Sequence, residues 1–564
     1  MKLLGQILLS RELINEEQLE SALSAQKVKK ELLGKILVNL GYINEEAWLS
    51  VLAEQFGLDY INSVSEHINS DEMSGMAPLN FFKKSKIIPY RIENGTLYVA
   101  TSDPLNTGPI DDLQTLTGKM VIQTLCPEGE ITKTIHHLME ESLESPEEVI
   151  EDLSSDDVGS LSLDIEETED LLDLSDEAPI IRLVNKIFYR AVKERASDIH
   201  IEPFEAGLKV RFRIDGTLYE RLSPPKVYHA PIVSRVKILA GLNIAERRLP
   251  QDGRIKIKIA GKDVDIRVSL IPTAYGERLV LRILDRSSVL LGLSDLGMGK
   301  DQLMAFTKAI STANGIVLVT GPTGSGKTTT LYAAMEELNS SETNILTVED
   351  PVEYQIPGIG QIPVNTKVGL TFAKGLRSIL RQDPDKIMVG EIRDLETAEI
   401  AIQASLTGHL VLSTLHTNDA ASAVTRLVDM GVESFLVSAT LRAVIAQRLV
   451  RRICQNCKIK YSPPEELLEE LGISKSDRQG VTFYRGAGCD QCSETGYRGR
   501  GAIYEILTIS EPVRRLIVEN EDGYAIKREA LKLGMKTMRQ EGISKVLEGI
   551  TTLEELIAVT REVE

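Results

Sequence analysis

Gly321-Pro322-Thr323-Gly324-Ser325-Gly326-Lys327-Thr328 places glycines, a lysine and a hydroxyl at the spacing G-x-x-x-x-G-K-[ST], directly after the apolar run Ile316-Val317-Leu318-Val319. Glycines at such a turn let backbone N–H groups close around a phosphate chain, because side chains there would hold the anion away. Lys327 then reaches the β- and γ-phosphates, the Thr328 hydroxyl ligates Mg²⁺, and Thr329 completes the expected nucleotide-binding run from Gly321. A buried strand, a glycine loop and a helix start stand in the required order. This is a nucleoside-triphosphate site.

Three further strand-like runs end in groups that suit γ-phosphate hydrolysis. Ile345–Val348 ends in Glu349, Asp350 and Glu353; Lys386–Val389 leads to Glu391, Arg393 and Asp394; His409–Leu415 is bounded by His409 and His416. Hydrolysis needs a divalent cation held in place and a polarised water, and carboxylates supply both. His416 is expected to sense the γ-phosphate by hydrogen bonding.

Four of the five cysteines form two close pairs, Cys454-x₂-Cys457 and Cys489-x₂-Cys492, with 31 residues between them. In a reducing compartment this pattern reads as a tetrahedral Cys₄ zinc site, structural because no position is left open for water. Arg448, Arg451, Arg452 and Lys458 lie nearby and are expected to favour the thiolates. Cys126 stands alone and reads as a small buried hydrophobe.

The elements that must position these groups follow from periodicity. From about Leu291 the order is helix, strand, phosphate loop, helix, strand, as in a parallel nucleotide-binding sheet. Before it, Pro179 to Arg195 reads as a helix with Ile180, Leu183, Val184, Ile187 and Val192 on one stripe. Strands follow at Ser197–Glu202, Leu208–Ile214 and Thr217–Tyr219, then a helix near Ile232–Leu242. Three more strands run at Arg254–Ile259, Val264–Leu270 and Arg278–Leu284.

The first 60 residues contain a repeat: Leu4-Gly5 through Gln26 recurs 29 residues later as Leu33-Gly34 through Gln55. Each copy reads as a short helix, a turn, an Asn cap (Asn15, Asn44) and a second helix opening on Glu-Glu. Lys86–Tyr90 and Thr96–Ala100 flank a Glu93-Asn94-Gly95 turn, a hairpin signal.

The chain of 564 residues carries a net charge of −19, yet 17 acidic residues and no Lys or Arg fall between Glu140 and Glu177. The remainder is close to neutral, which argues against a nucleic-acid groove. The acidic stretch reads as an extended linker, with a docking peptide anchored by Leu161, Leu163, Ile165, Leu171 and Leu172 as the alternative. No apolar run approaches a membrane-spanning length and no leader is evident, so a cytoplasmic location is expected.

The chain resembles the secretion ATPase superfamily, specifically the assembly ATPases of type II secretion and type IV pili. The resemblance rests on Gly321–Thr328, Glu349–Tyr354, Leu380–Asp385 with Gly390–Asp394, and Gly408-His409 with Ser413–Asn418. It extends to Ala196–Pro203 and Leu249–Arg254 and covers essentially the whole length. It implies a multidomain α/β fold: a RecA-like P-loop ATPase core, a preceding small α/β domain of PAS-like type, a zinc-binding subdomain and an α+β N-terminal domain. The corresponding boundaries are 1–139 for the N-terminal repeat domain, 140–178 for the linker, 179–290 for the small domain, and 291–564 for the core, with the Cys₄ lobe near 450–500.

The resemblance further implies Glu353 as general base, Glu391 as organiser of Mg²⁺ through water, and Glu349 and Asp350 as support. It implies a second domain donating Arg267 and Arg282 to the nucleotide, with Arg254 a weaker candidate, and Leu284–Leu293 as hinge. The implied function is an ATP-hydrolysing homo-hexamer that powers pseudopilus assembly for type II secretion, using ATP, Mg²⁺ and Zn²⁺. It would dock on an inner-membrane platform protein and the cytoplasmic domain of a second inner-membrane protein, peripheral on the cytoplasmic face. The contexts Leu249–Gly253 and Tyr275–Asp285 favour secretion over pilus extension. The N-terminal repeat resembles a tandem-motif domain that binds cyclic di-GMP in some relatives through Arg-Leu-Gly. Here both starts read Leu-Leu-Gly (Leu3-Leu4-Gly5, Leu32-Leu33-Gly34), and Glu12 stands where the second copy has Gly41, so a structural or docking role is expected. Two other classes stay open: a nucleic-acid translocase, and a regulatory cyclic-dinucleotide binder with a vestigial ATPase.

Overall fold

A computed structural model describes residues 4–29, 32–64, 76–77, 79–141, 179–259, 262–285, 291–473 and 481–561. The chain divides into two compact units, one of Met1–Tyr189, Pro224–Ala245 and Lys256–Lys262, the other of Arg190–Ser223, Glu246–Ile255 and Asp263–Glu564. The proposed docking anchors between 161 and 172 lie outside the described residues, as do 142–178 of the acidic stretch and 286–290 of the expected hinge. The last helix before that stretch is Glu128–Glu141, two residues beyond the expected end of the first domain.

In the first unit the repeat forms the expected four helices, Leu4–Ser10, Glu16–Lys29, Leu33–Asn39 and Glu45–Phe56. Both Asn caps engage: the Asn15 side chain accepts from Gln18 N at 2.8 Å and Asn44 from Ala47 N at 2.9 Å. Each cap satisfies one of the orphan donors at a helix start. Gly34 lies against the ring of buried Trp48, and an added Cβ would come within 2.4 Å of it, so the repeat's glycine is required by helix packing. Beside the repeat, β1 (Asp59–Tyr60), β2 (Ile87–Glu93), β3 (Thr96–Thr101) and β4 (Met120–Leu125) form a sheet in the order β1-β4-β3-β2. The β2–β3 turn has Asn94 and Gly95 both at positive φ, which is the geometry an Asn-Gly hairpin adopts. Cys126 is fully buried in this core, and burial pushes its thiol up to about 12.

The second unit holds most of two sheets. β5 (Ala196–Pro203), β6 (Leu208–Ile214), β7 (Thr217–Leu222), β8 (Gln251–Ile259), β9 (Lys262–Thr273) and β10 (Gly276–Asp285) order as β7-β6-β5-β10-β9-β8. Leu208, Val210, Phe212 and Ile214 of β6 are buried, while Lys209, Arg211 and Arg213 alternate with them. The faces of a strand therefore separate into apolar and charged.

The larger sheet runs β13-β12-β14-β15-β11-β16-β19, from β11 (Gly315–Thr320), β12 (Ile345–Glu349), β13 (Gly360–Pro363), β14 (Lys386–Val389), β15 (Leu410–Leu415), β16 (Leu441–Ile453) and β19 (Tyr497–Thr508). Its pairs are parallel except β16–β19. All of β11 is buried because both sheet faces are covered: Ile316 and Leu318 enter one core, Val317 and Val319 the other. Between β16 and β19, β17 (Lys458–Tyr461) and β18 (Phe483–Gly486) pair antiparallel as a small two-stranded sheet. No helix among the described residues is long and apolar enough to cross a membrane.

Forcing a methyl group between the Gly34 backbone and Trp48 is expected to destabilise the first unit by about 1–3 kcal/mol, the range for overpacking. Gly34→Ala should lower the melting temperature read from Trp48 fluorescence while ATP turnover stays unchanged. An unaltered melting curve would contradict the packing role.

Candidate nucleotide site and metal centre

The parallel order puts the ends of β12, β14, β15 and β11 side by side, and every hydrolytic candidate of the core except His409 emerges from that edge. At β11 the chain turns through Gly321 at φ 148°, where a Cβ would lie 2.4 Å from the Gln447 carbonyl oxygen of β16. At Gly326, φ 86°, a Cβ would lie 2.9 Å from the Gln447 side-chain nitrogen. The loop is thus wedged against β16, and Gln447 also accepts from Thr330 at 2.7 Å. From Lys327 the chain becomes the helix Lys327–Leu338, whose free N–H groups and dipole favour an anion.

Lys327 is buried and donates to Gly321 O at 2.8 Å and Pro322 O at 3.0 Å. Burial pulls its ammonium down to about 8, with Glu391 opposing the shift. Thr328 is exposed on the first turn. Glu391 follows β14 and is held by Arg393 on one oxygen, while His416 Nε2 stands 3.7 Å from the other. Burial and the Lys327 charge both lower the His416 pKa, so the imidazole is neutral at pH 7. Lys327, Glu391, His416 and Arg393 form one electrostatic cluster. His409, at the opposite end of β15, instead bonds Ala404 O at 2.8 Å and Thr407 at 3.1 Å, a structural placement.

The acidic box splits in two. Glu349 is buried and receives Tyr332 OH, Thr347 Oγ1 at 2.5 Å and Gln361 Nε2 at 3.1 Å. Glu353 is exposed, and only its backbone N–H is bonded, to Tyr332 Oη at 3.3 Å. Tyr332, Gln361 and Gln447 escaped the sequence reading because each touches the site only through contacts distant in sequence.

On the smaller sheet, Arg282 of β10 sits opposite Arg267 of β9 on one side and Asp198 of β5 on the other. Arg282 donates to Asp198 at 3.1 Å and remains 60% exposed, free to meet a ligand. The Arg267 side chain makes no hydrogen bond or ion pair among the described residues, and neither arginine side chain bonds to the phosphate loop. Arg254 is clamped by buried Asp265 through two nitrogens, which accounts for it as a structural ion pair.

The four sulfurs of Cys454, Cys457, Cys489 and Cys492 lie within 4.8 Å of one another, with separations of 3.9, 3.8 and 3.7 Å for 454–489, 457–492 and 489–492. A tetrahedron with Zn–S arms of about 2.3 Å has edges of about 3.8 Å, so the donor set fits a zinc ion. Groups facing the sulfurs include the N–H of Cys489 and Gly496, the backbone of Gly488 and the Asn456 amide. Three of the cations expected to serve there are engaged elsewhere: Arg448 with Asn418, Arg451 with Glu555, and Lys458 with Gly549 O.

Residues 173–558 match the family model described as Type II/IV secretion system protein. The chain belongs to that family. Residues 56–145 match the MshEN domain. Among relatives, the type IV pilus assembly ATPase PilB of Myxococcus xanthus is 44% identical over 559 residues, covering 99% of this chain and 98% of its own. The type II secretion system protein E of Dickeya dadantii is 47% identical over 500 residues, covering 88% and 99%. The solved structure of the Legionella pneumophila ATPase DotB is 22% identical, covers 71% of this chain and 98% of its own, and superposes with a TM-score of 0.50, a likeness of fold. As a secretion ATPase this chain is an ATP-hydrolysing enzyme. The expected multidomain α/β fold with a RecA-like core and the resemblance to secretion ATPases hold.

Because the free loop holds Lys327 near pH 8 and a bound triphosphate favours its charged form, binding must take up a proton wherever the free amine is neutral. Below pH 7 the ammonium is already charged and uptake vanishes; from pH 8 to 9 uptake should rise toward one proton per site. Calorimetry of magnesium-saturated ATP in buffers of different ionisation enthalpy measures this, and Lys327→Arg should remove the dependence. Uptake independent of pH would contradict it. Metal analysis should find one zinc per chain, lost in Cys492→Ser together with a collapse of the lobe; such sites are worth about 10–16 kcal/mol in small peptides. Full folding of metal-free protein would contradict that.

Proposed function

We propose that the chain is a hexameric motor that hydrolyses ATP to drive pseudopilus assembly for type II secretion. The carrying observation is the convergence of Lys327, Glu391 and His416 on one strand-end cluster within a chain that covers nearly the full length of an assembly ATPase relative. In this reading the loop amides of 321–329 and Lys327 hold the β- and γ-phosphates. Glu353, exposed and unpaired at its carboxylate, takes the proton from the attacking water. Mg²⁺, when bound, neutralises charge on the phosphate oxygens; Thr328 and, through water, Glu391 are the residues that would hold it. Arg282 and Arg267 neutralise charge on the transferring phosphoryl group when the second domain closes over it. Neutral His416 donates one hydrogen bond toward the γ-phosphate without adding a second full cation.

The four-part division at 139, 178 and 290 remains part of this proposal, with nucleotide state biasing the second domain against the core. The Cys₄ centre holds zinc and organises the lobe between β16 and β19. The ring binds an inner-membrane platform protein and the cytoplasmic domain of a companion, making the enzyme cytoplasmic and peripheral to the membrane. The N-terminal repeat acts as a docking domain. A second reading, extension of a type IV pilus, is favoured by the pilus ATPase match across 99% of the chain. Affinity capture from native membranes with Glu353→Gln protein separates them, by whether secretion or pilus platform components are recovered.

Glu353→Gln should lower kcat about 10²–10⁴-fold, the usual worth of a general base, with ATP affinity retained. Arg282→Ala should cost about 10³-fold or more, as removal of a phosphoryl-stabilising arginine does. Wild-type turnover in either variant, measured as phosphate release, would reject the role assigned to that residue.

A further inference from the structure

We propose that Tyr332 is a positioning residue for hydrolysis: its hydroxyl ties the main chain of Glu353 to the helix that begins at the phosphate loop. The inference rests on Glu353 acting as general base. Tyr332 lies five residues after Lys327 on the helix Lys327–Leu338 and is fully buried. Its ring packs edge-on against Tyr354, with centroids 4.6 Å apart and planes at 81°. Its hydroxyl is used on every side. It donates to the buried Glu349 carboxylate, accepts the Glu353 N–H at 3.3 Å and accepts from Gln361 Nε2 at 3.4 Å.

A phenol has one donor and two acceptor positions, so these three bonds exhaust it. Glu349 fixes the direction of the O–H, because a buried carboxylate offers no donor of its own and must be supplied with them. With the hydrogen committed to Glu349, the oxygen lone pairs face the Glu353 N–H and Gln361. Glu353 is therefore read against the phosphate-loop helix through one oxygen atom; the loop's next bond to that helix, from the C-cap residue Asn339 to Pro357 O at 2.9 Å, lies four residues further on. Glu353 has no other bond to the protein, at side chain or N–H, among the described residues. Without that oxygen, Glu353 itself loses its hydrogen-bonded reference to the helix carrying Lys327 and Thr328. A displacement of about 1 Å at a reacting group can lower a rate about 10²-fold while leaving binding intact.

Thr347 supplies the control. Its hydroxyl donates to the same Glu349 carboxylate at 2.5 Å but makes no bond to the Glu353 loop. If Tyr332 were only a stabilising partner of Glu349, Tyr332→Phe and Thr347→Val would behave alike.

The test compares Tyr332→Phe, Thr347→Val and Glu353→Gln in the full-length chain, reading kcat, KM for ATP, affinity for a fluorescent ATP analogue, and melting temperature. Tyr332→Phe is expected to lose at least 10-fold in kcat, with KM and analogue affinity within about threefold of wild type. Thr347→Val should lower the melting temperature comparably and keep kcat within about twofold. The double variant Tyr332→Phe/Glu353→Gln should be no slower than Glu353→Gln alone, since both act on one step. Wild-type kcat in Tyr332→Phe, or equal losses in Tyr332→Phe and Thr347→Val, overturns the proposal while leaving Glu353 as base. Wild-type turnover in Glu353→Gln overturns both. Should Tyr332→Phe prove too unstable to purify, Glu349→Gln serves as background, since it leaves no buried carboxylate short of a donor. Tyr332→Phe/Glu349→Gln is then expected at least 10-fold below Glu349→Gln, and equal rates overturn the proposal.

Discussion

The phosphate loop can exist here only because backbone passes backbone at Gly321, within a Cβ's reach of the Gln447 carbonyl. That approach fixes β11 against β16, orients the helix from Lys327, and buries the lysine amine among loop carbonyls. Burial then does electrostatic work. Burial holds the Lys327 ammonium down to about 8, with Glu391 opposing the shift. His416 and the Arg393-held Glu391 share that field, so Lys327 is coupled electrostatically to the strand ends of β14 and β15.

The two arginines belong to a different arrangement. On the charged face of the smaller sheet, Asp198 lies between Arg213 and Arg282, and Glu202 between Arg211 and Arg278. Central acids thus hold arginines from both neighbouring strands. An arginine held by a carboxylate on one edge keeps its remaining donors aimed outward at little entropic cost, the property needed to meet an anionic ligand. Arg254 looks equivalent in sequence, but Asp265 captures it from two sides.

Local signals were legible in the sequence. The glycine-lysine spacing, the two Cys pairs, the Asn caps of the repeat and the Asn-Gly hairpin are each set by backbone conformation or ligand count within a few residues, and each appears where the pattern required it. What the sequence left hidden depends on long-range contacts. The split of the acidic box into buried Glu349 and exposed Glu353 depends on Tyr332 and Gln361, 17 and 12 residues from Glu349. The cations near the cysteines are close in sequence yet bonded to partners distant in sequence: Arg448 to Asn418, Arg451 to Glu555 and Lys458 to Gly549 O. The repeat's glycine looked like part of a ligand motif; Trp48 packing supplies a sufficient physical reason for it.

The central claim is that a triphosphate held by Lys327 at this strand-end cluster is the species hydrolysed. Its most direct test is a single-turnover experiment with γ-labelled ATP, magnesium and excess enzyme, comparing the native chain with Lys327→Ala. The native chain is expected to release labelled phosphate stoichiometrically, and the variant neither to bind ATP nor to release phosphate. Phosphate release by Lys327→Ala at the native rate would contradict it.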